Sequence, residues 1–281
     1  MEPVYGTWIR TARLRRFAAL SGVCLAASAL AFWSPWFLLF LVPFVLFGYI
    51  TTILALTVHR FAPRGGDVQR LIHDLIVTRV EAGERVLDVG CGSGSLAVKL
   101  ALASADRRVV GIDSWGRDWA YSQRQCTDNA RLEGVGDRVS FSRQSGAAIG
   151  FANGAFDAVV SCLTFHEIRD LAHAADGVVE ALRVLRPGGR YVFLDLFGDS
   201  ASYPSLNDVR EAIGVADASV AELTSLADLV PLPYPLRHPK VLGHAMLVTG
   251  TKRGPACPAP DDREDHPAAR PAGSDWTGTP A

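Results

Sequence analysis

The sequence predicts an α/β protein: a Rossmann-like three-layer sandwich with a mostly parallel seven-stranded sheet, preceded by two transmembrane helices. Two observations carry this. Between residues 67 and 252, short continuous apolar runs alternate with helical stretches, as in a parallel sheet covered on both faces. Before them, residues 17–33 and 36–58 form runs of 17 and 23 residues without a charge.

The elements follow in order. Residues 67–79, with Leu71, Ile72, Leu75 and Ile76 on one side, form a helix that links the apolar runs to the sheet. "RVLDV" (85–89) is a buried strand, "SLAVKLALAS" (95–104) an apolar helix and "RRVVGID" (107–113) the next strand. Residues 118–134 make an amphipathic helix ended by Gly134. "RVSFS" (138–142) and "FDAVVS" (156–161) are strands, residues 174–185 a helix stopped by Arg-Pro-Gly-Gly, and "RYVFLDLF" (190–197) a further strand. "PLPYPLR" (231–237) and "HAMLVTGTK" (244–252) are expected to close the sheet as a strand pair.

At about 1.5 Å per residue the two apolar runs reach roughly 25 and 35 Å, against a hydrocarbon core of about 30 Å. Ser34-Pro35 breaks them into a hairpin. Arg10, Arg13, Arg15 and Arg16 precede the first run, and Arg60, Arg64 and Arg70 follow the second. By the positive-inside rule both flanks, and so both termini and the α/β domain, are expected in the cytoplasm. A signal peptide would not be followed by a second, longer apolar run. Three regions result: a membrane anchor (1–61), an α/β domain (62–253) and a tail (254–281) too poor in apolar residues to order itself.

Composition excludes several functions. The net charge of −1 gives no global attraction to nucleic acid, and no basic patch is interleaved with aromatics. The five cysteines are widely spaced, with no Cys/His cluster, which predicts neither a disulfide framework nor a metal site.

The chemistry is signalled at Gly90-Cys91-Gly92-Ser93-Gly94, where the first strand hands over to the first helix of the domain. In an open parallel sheet ligands bind at such carboxyl ends, at the point where strand order reverses. GxGxG is neither the GxGxxG of dinucleotide folds nor a P-loop. Asp88, two residues before Gly90, would repel a pyrophosphate but suits an ammonium. S-adenosylmethionine carries a sulfonium and an ammonium and no phosphate. Asp113, ending the next strand, can accept from both hydroxyls of an adenosine ribose, which by itself leaves NAD open.

Four blocks in register, "VLDVGCGSG", "VVGID", "FANGAFDAVVS" and "LRVLRPGGRYVFLD", resemble the class I S-adenosylmethionine-dependent methyltransferases over residues 83–197. The resemblance implies that Asp88, Gly90 and Gly92 contact the methionine moiety, with Cys91 and Gly94 of the same loop also at the cofactor. Asp113 would hold the ribose with help from Ser114, and Ser145 and Gly146 would approach the adenine. Serine stands where the family carries an acid. The segment after the fourth strand, "SCLTFHEIRD", is where an acceptor should meet the methyl group, with His166 and Glu167 as candidate bases and Asp195 a weaker one. A small-molecule or lipid-like acceptor is favoured. The alternatives are a cofactor-binding membrane protein without turnover, or an NAD-dependent oxidoreductase.

Overall fold

The computed structural model describes residues 2–80, 85–116, 119 and 121–254. The chain enters as an extended strap and then forms a helical hairpin, α1 (Thr11–Ala29) and α2 (Leu41–Phe61). Two short 3₁₀ turns, Leu30–Phe32 and Pro35–Phe40, make its tip. Pro43 falls in the first turn of α2, where no helical donor is lost. The arms are held by Ser21 Oγ donating to the Phe44 carbonyl at 3.2 Å and by Phe17 against Phe47. Both helices are long and apolar enough to cross a membrane.

The α/β domain follows: α3 (Val68–Val77), β1 (Arg85–Val89), α4 (Ser95–Leu102), β2 (Arg108–Asp113), α5 (Gln123–Leu132), β3 (Val139–Arg143), β4 (Phe156–Cys162), α6 (Ala174–Arg183), β5 (Leu185–Asp195), α7 (Leu206–Val215), β6 (Ala218–Ser225), α8 (Leu226–Leu229) and β7 (Met246–Lys252). The seven strands lie in the order β3-β2-β1-β4-β5-β7-β6, with β7 antiparallel to both of its neighbours. Apolar side chains cover both faces. Val86, Leu96, Leu100, Val160 and Leu194 belong to one core cluster, and Leu87, Val159, Leu182, Tyr191 and Phe193 to the other.

Two expectations are corrected. "PLPYPLR" is not a strand: its three prolines withhold ladder donors, and the segment turns back on itself through Leu236 N–H to the Pro233 carbonyl. The partner of β7 is instead "ASVAELTS", an edge strand too polar on its outer face to stand out as an apolar run. The helix expected from residue 118 begins at Gln123, where Ser122 caps it by accepting from the Gln125 N–H. The tail beyond residue 254 lies outside the described residues.

Candidate active site

Strand order reverses between β1 and β4, so the loops leaving these two strands part and open a cleft at the carboxyl edge. Gly90, Gly92 and Gly94 all take positive φ (77°, 54° and 81°), which lets the loop curl back on β2. There the Gly90 and Cys91 N–H groups bond the Ile112 carbonyl at 2.8 and 3.0 Å. A Cβ at Gly90 would stand 2.0 Å from Thr164 Oγ1, so glycine is required for close approach as well as for φ. Asp113 clamps the loop, accepting from Gly92 N–H at 2.9 Å and from Trp115 N–H at 2.7 Å. It remains on the cleft wall, with lone pairs to spare for a ligand. Cys91 packs with Trp115 and Cys126 beneath the loop. Ser114 holds Arg143 through its carbonyl, Ser145 Oγ donates to Asp170 at 3.0 Å, and Gly146 packs on Ile168.

Asp88 is the electrostatic oddity. Its side chain is buried, Oδ2 has no hydrogen-bond partner among the described residues, and the residue borders the cleft. Burial, with the neighbouring charge of Asp113, pushes its pKa up to about 8, and the Ala97 N–H offsets this only partly. A cation placed here would relieve the cost of an unpartnered buried carboxylate. The donor set therefore fits the ammonium end of S-adenosylmethionine and does not fit a pyrophosphate.

On the β4 side, a 3₁₀ turn (Phe165–Glu167) lifts His166 into the cleft. Its Nδ1 meets Asp195 Oδ1 at the end of the adjacent strand β5. Asp195 is fully buried and braced by the N–H groups of Thr164 (3.1 Å), Phe165 (2.7 Å) and Leu196 (2.6 Å). Burial alone would lower the His166 pKa. The charge and hydrogen bond of Asp195 outweigh it, with Glu167 and Asp199 adding, and the imidazole is raised above its ordinary value. Glu167 is otherwise engaged: Arg10 holds it at 2.6 Å. Two further histidines, His73 and His238, line the cavity; His73 is buried under the strap and held neutral by burial, with its pKa lowered to about 3.

Sequence reasoning missed the roof of the site. Residues 4–10 cross the cleft as a strap. Asn129 grips Val4 from both sides, Oδ1 accepting from its N–H and Nδ2 donating to its carbonyl, each at 2.8 Å. Gln69 donates to the Gly6 carbonyl, Tyr121 OH to that of Thr7, and Trp8 meets Phe61 and His73 edge-on. Arg10 lies over the Trp119 ring, itself stacked on Tyr121. Beneath runs a cavity of about 1290 Å³ whose lining includes Asp88, Asp113, Gly146 and His166. Ile50, Ile53 and Leu54 of α2 also form part of its wall. Pockets for a single ligand usually hold about 300–1,000 Å³, so there is room for two.

A seven-stranded sheet with β7 reversed, a GxGxG loop and an acid ending β2 define a nucleoside-cofactor domain of the methyl-transfer class. Residues 87–193 match the methyltransferase domain family. An O-methyltransferase of Aspergillus nomiae is 33% identical, over 52% of this chain and 69% of its own length. A demethylmenaquinone methyltransferase of Thermus thermophilus is 31% identical, over 49% of this chain and 58% of its own. The 27-O-demethylrifamycin SV methyltransferase of Amycolatopsis mediterranei is 34% identical, over 41% and 40%. This chain spans about half the length of most curated relatives it matches. Among solved structures, geranyl diphosphate methyltransferase in complex with S-adenosylmethionine superposes with a TM-score of 0.54 at 15% identity, covering 67% of this chain and 87% of that one. The chain belongs to the S-adenosylmethionine-dependent methyltransferase family, and S-adenosylmethionine is its cofactor.

Proposed function

We propose that this protein is a membrane-anchored methyltransferase that methylates an amphiphilic acceptor bearing an acidic hydroxyl, with His166 as the general base. The observation that carries the reading is the single cavity joining the glycine loop, His166 and the apolar face of α2. A relative named for demethylmenaquinone acts on a molecule of that apolar-tailed kind, which supports it.

Bound S-adenosylmethionine supplies a methyl carbon on sulfur that departs as a neutral thioether. No acid is then needed, and the protein's task is positioning and, where the acceptor is protonated, deprotonation. Asp88 and the Gly90–Gly94 loop would hold the methionine end, Asp113 and Ser114 the ribose, and Ser145 and Gly146 the adenine edge. With Nδ1 committed to Asp195, the His166 Nε2 is the nitrogen left to take the acceptor's proton. Asp195 fixes the tautomer and stabilises the imidazolium that results. Glu167, tied to Arg10, also stands with Oε1 4.0 Å from His166 Nε2 and adds to the field that raises the imidazole's pKa.

The hairpin is read as two-pass, with the arginine-rich flanks and the domain in the cytoplasm. The decisive comparison incubates full-length protein in vesicles with labelled cofactor and either a membrane lipid extract or a water-soluble metabolite extract. Methyl label in the lipid fraction, lost in His166→Ala, is the expected result. Label confined to water-soluble products would overturn the acceptor class.

A further inference from the structure

The segment 231–237, "PLPYPLR", expected as a strand, is instead a loop, which runs on into a short π-helical turn (Pro239–Gly243) and touches α2 at Tyr49 and Arg60. Tyr234 OH contacts Tyr49 OH at 3.5 Å, and the Tyr234 carbonyl accepts from Arg60 Nε at 3.2 Å. This position has a consequence for depth. From Trp36 at the hairpin tip to Tyr49 the chain rises about 22 Å, roughly 8 Å in the 3₁₀ turn and 14 Å in α2. A hydrocarbon core is about 30 Å thick. A hairpin whose aromatic tip reaches the far interface therefore carries Tyr49 about 8 Å inside the near boundary and Arg60 about 8 Å outside it, so the loop that touches both lies across that boundary. Tilt of the helix only deepens this.

The loop is built for that depth. Pro231, Pro233, Pro235 and Pro239 have no N–H to satisfy. The N–H groups of Leu236 and His238 bond the carbonyls of Pro233 and Pro235, and the Lys240 N–H bonds His238 Nδ1. Tyr234 is 57% exposed, and its amphipathic ring suits the headgroup boundary. Arg237, His238 and Lys240 are exposed beside it, and residues 231–243 contain no acid to repel anionic headgroups.

We infer that residues 231–240 form a second membrane contact, an insertion loop immersed in the cytoplasmic leaflet against α2. This rests on the hairpin reading above. Pro235, Lys240, Val241 and Leu242 also line the cavity, so the loop and α2 together frame its bilayer-side wall. A tailed acceptor can then pass laterally from the leaflet to His166 with its apolar end never crossing water.

The test places a single environment-sensitive fluorophore on full-length protein in vesicles of phosphatidylcholine and phosphatidylglycerol. The background is Cys257→Ser, since Cys24, Cys91, Cys126 and Cys162 are buried. Labels go on Tyr234→Cys in the loop, Val42→Cys in the hairpin and Val215→Cys at the end of α7. A lipid carrying a nitroxide near its headgroup should cut emission roughly twofold or more at 234, and leave 215 unchanged, as expected for interfacial insertion. Quenching at 42 by a nitroxide deep in the acyl chain, with 234 unquenched by either lipid and open to aqueous iodide, keeps the hairpin and overturns the loop. No lipid quenching at any of the three sites removes the membrane anchor itself.

Discussion

His166 and Asp195 show how little of the chemistry depends on any one side chain alone. A surface histidine titrates near 6.5. Here the buried carboxylate raises that value, and a base acts only when unprotonated. Activity governed by His166 therefore climbs with pH through a midpoint above 6.5. Asp195→Asn keeps the burial and deletes the charge, so the midpoint should move down in pH while the plateau rate falls, because the tautomer is no longer imposed. A kcat/KM profile of both proteins checks this, and an unmoved midpoint would take His166 out of the mechanism. His166→Ala should lower turnover by about 10²–10⁴ with cofactor affinity intact. Asp88 carries a second prediction. With a pKa near 8 in the free protein it is mostly protonated at pH 7. A ligand that places an ammonium beside it favours the ionised form, so binding should release a proton and tighten as pH rises from 6 to 8. Calorimetry in buffers of different ionisation enthalpy measures that proton directly, and no release would mean that the ammonium sits elsewhere.

At the scale of elements, the strap explains which parts of the site were legible. Gly90, Gly92, Gly94 and Asp113 announce themselves because loop and strand ends are local patterns. The strand–helix alternation from β1 to β5 is legible for the same reason. The strap is not, because Val4 finds its partner at Asn129, on a helix formed far along the chain. Asp195 lies 29 residues from His166 and reaches it only because β4 and β5 are neighbours in the sheet. Edge strand β6 escaped notice because half its side chains face solvent, whereas "PLPYPLR" looked strand-like by apolarity alone. The strap's grip can be loosened by substitution. Asn129→Leu removes two hydrogen bonds to Val4, each worth about 0.5–1.5 kcal/mol, together with the bond from Nδ2 to the Ser93 carbonyl of the glycine loop, so Gln125→Ala, which removes only a strap bond to the Val4 carbonyl, serves as its control. If residues 4–10 cover the cofactor, its dissociation should then be on the order of tenfold faster in stopped-flow. Arg10→Ala should do less, since its pair with Glu167 is part-exposed and such pairs contribute about 1 kcal/mol or less. Equal dissociation rates in all four proteins would mean that the strap is not a gate.

The whole molecule joins a helical hairpin to an α/β domain. Phe61, the last residue of α2, and Trp8 of the strap pack with the α/β core, and apart from the side of α2 that lines the cavity most of the hairpin is exposed apolar surface. Phe32, Trp33 and Trp36 at the tip are 93%, 82% and 77% exposed. Three large aromatics left in water have a clear physical cost, at about 25 cal/mol per Å² of apolar surface. Placed at a far membrane interface they become an anchor. On the two-pass reading proposed above the arginines would set the direction: Arg13, Arg15 and Arg16 in the first turns of α1 and Arg60 in the last turn of α2 lie at the same end of the hairpin, next to the domain. Carrying those charges across the hydrocarbon is far costlier than leaving them inside. A cysteine at Ser34, between the two tip turns, should accordingly react with a membrane-impermeant maleimide applied to intact cells. One at Val215, on the domain, should react only after permeabilisation. Were Ser34→Cys also to need permeabilisation, the hairpin would dip into a single leaflet. Domain and tip would then share one side, and the depth assigned to Tyr234 would have to be given up with it.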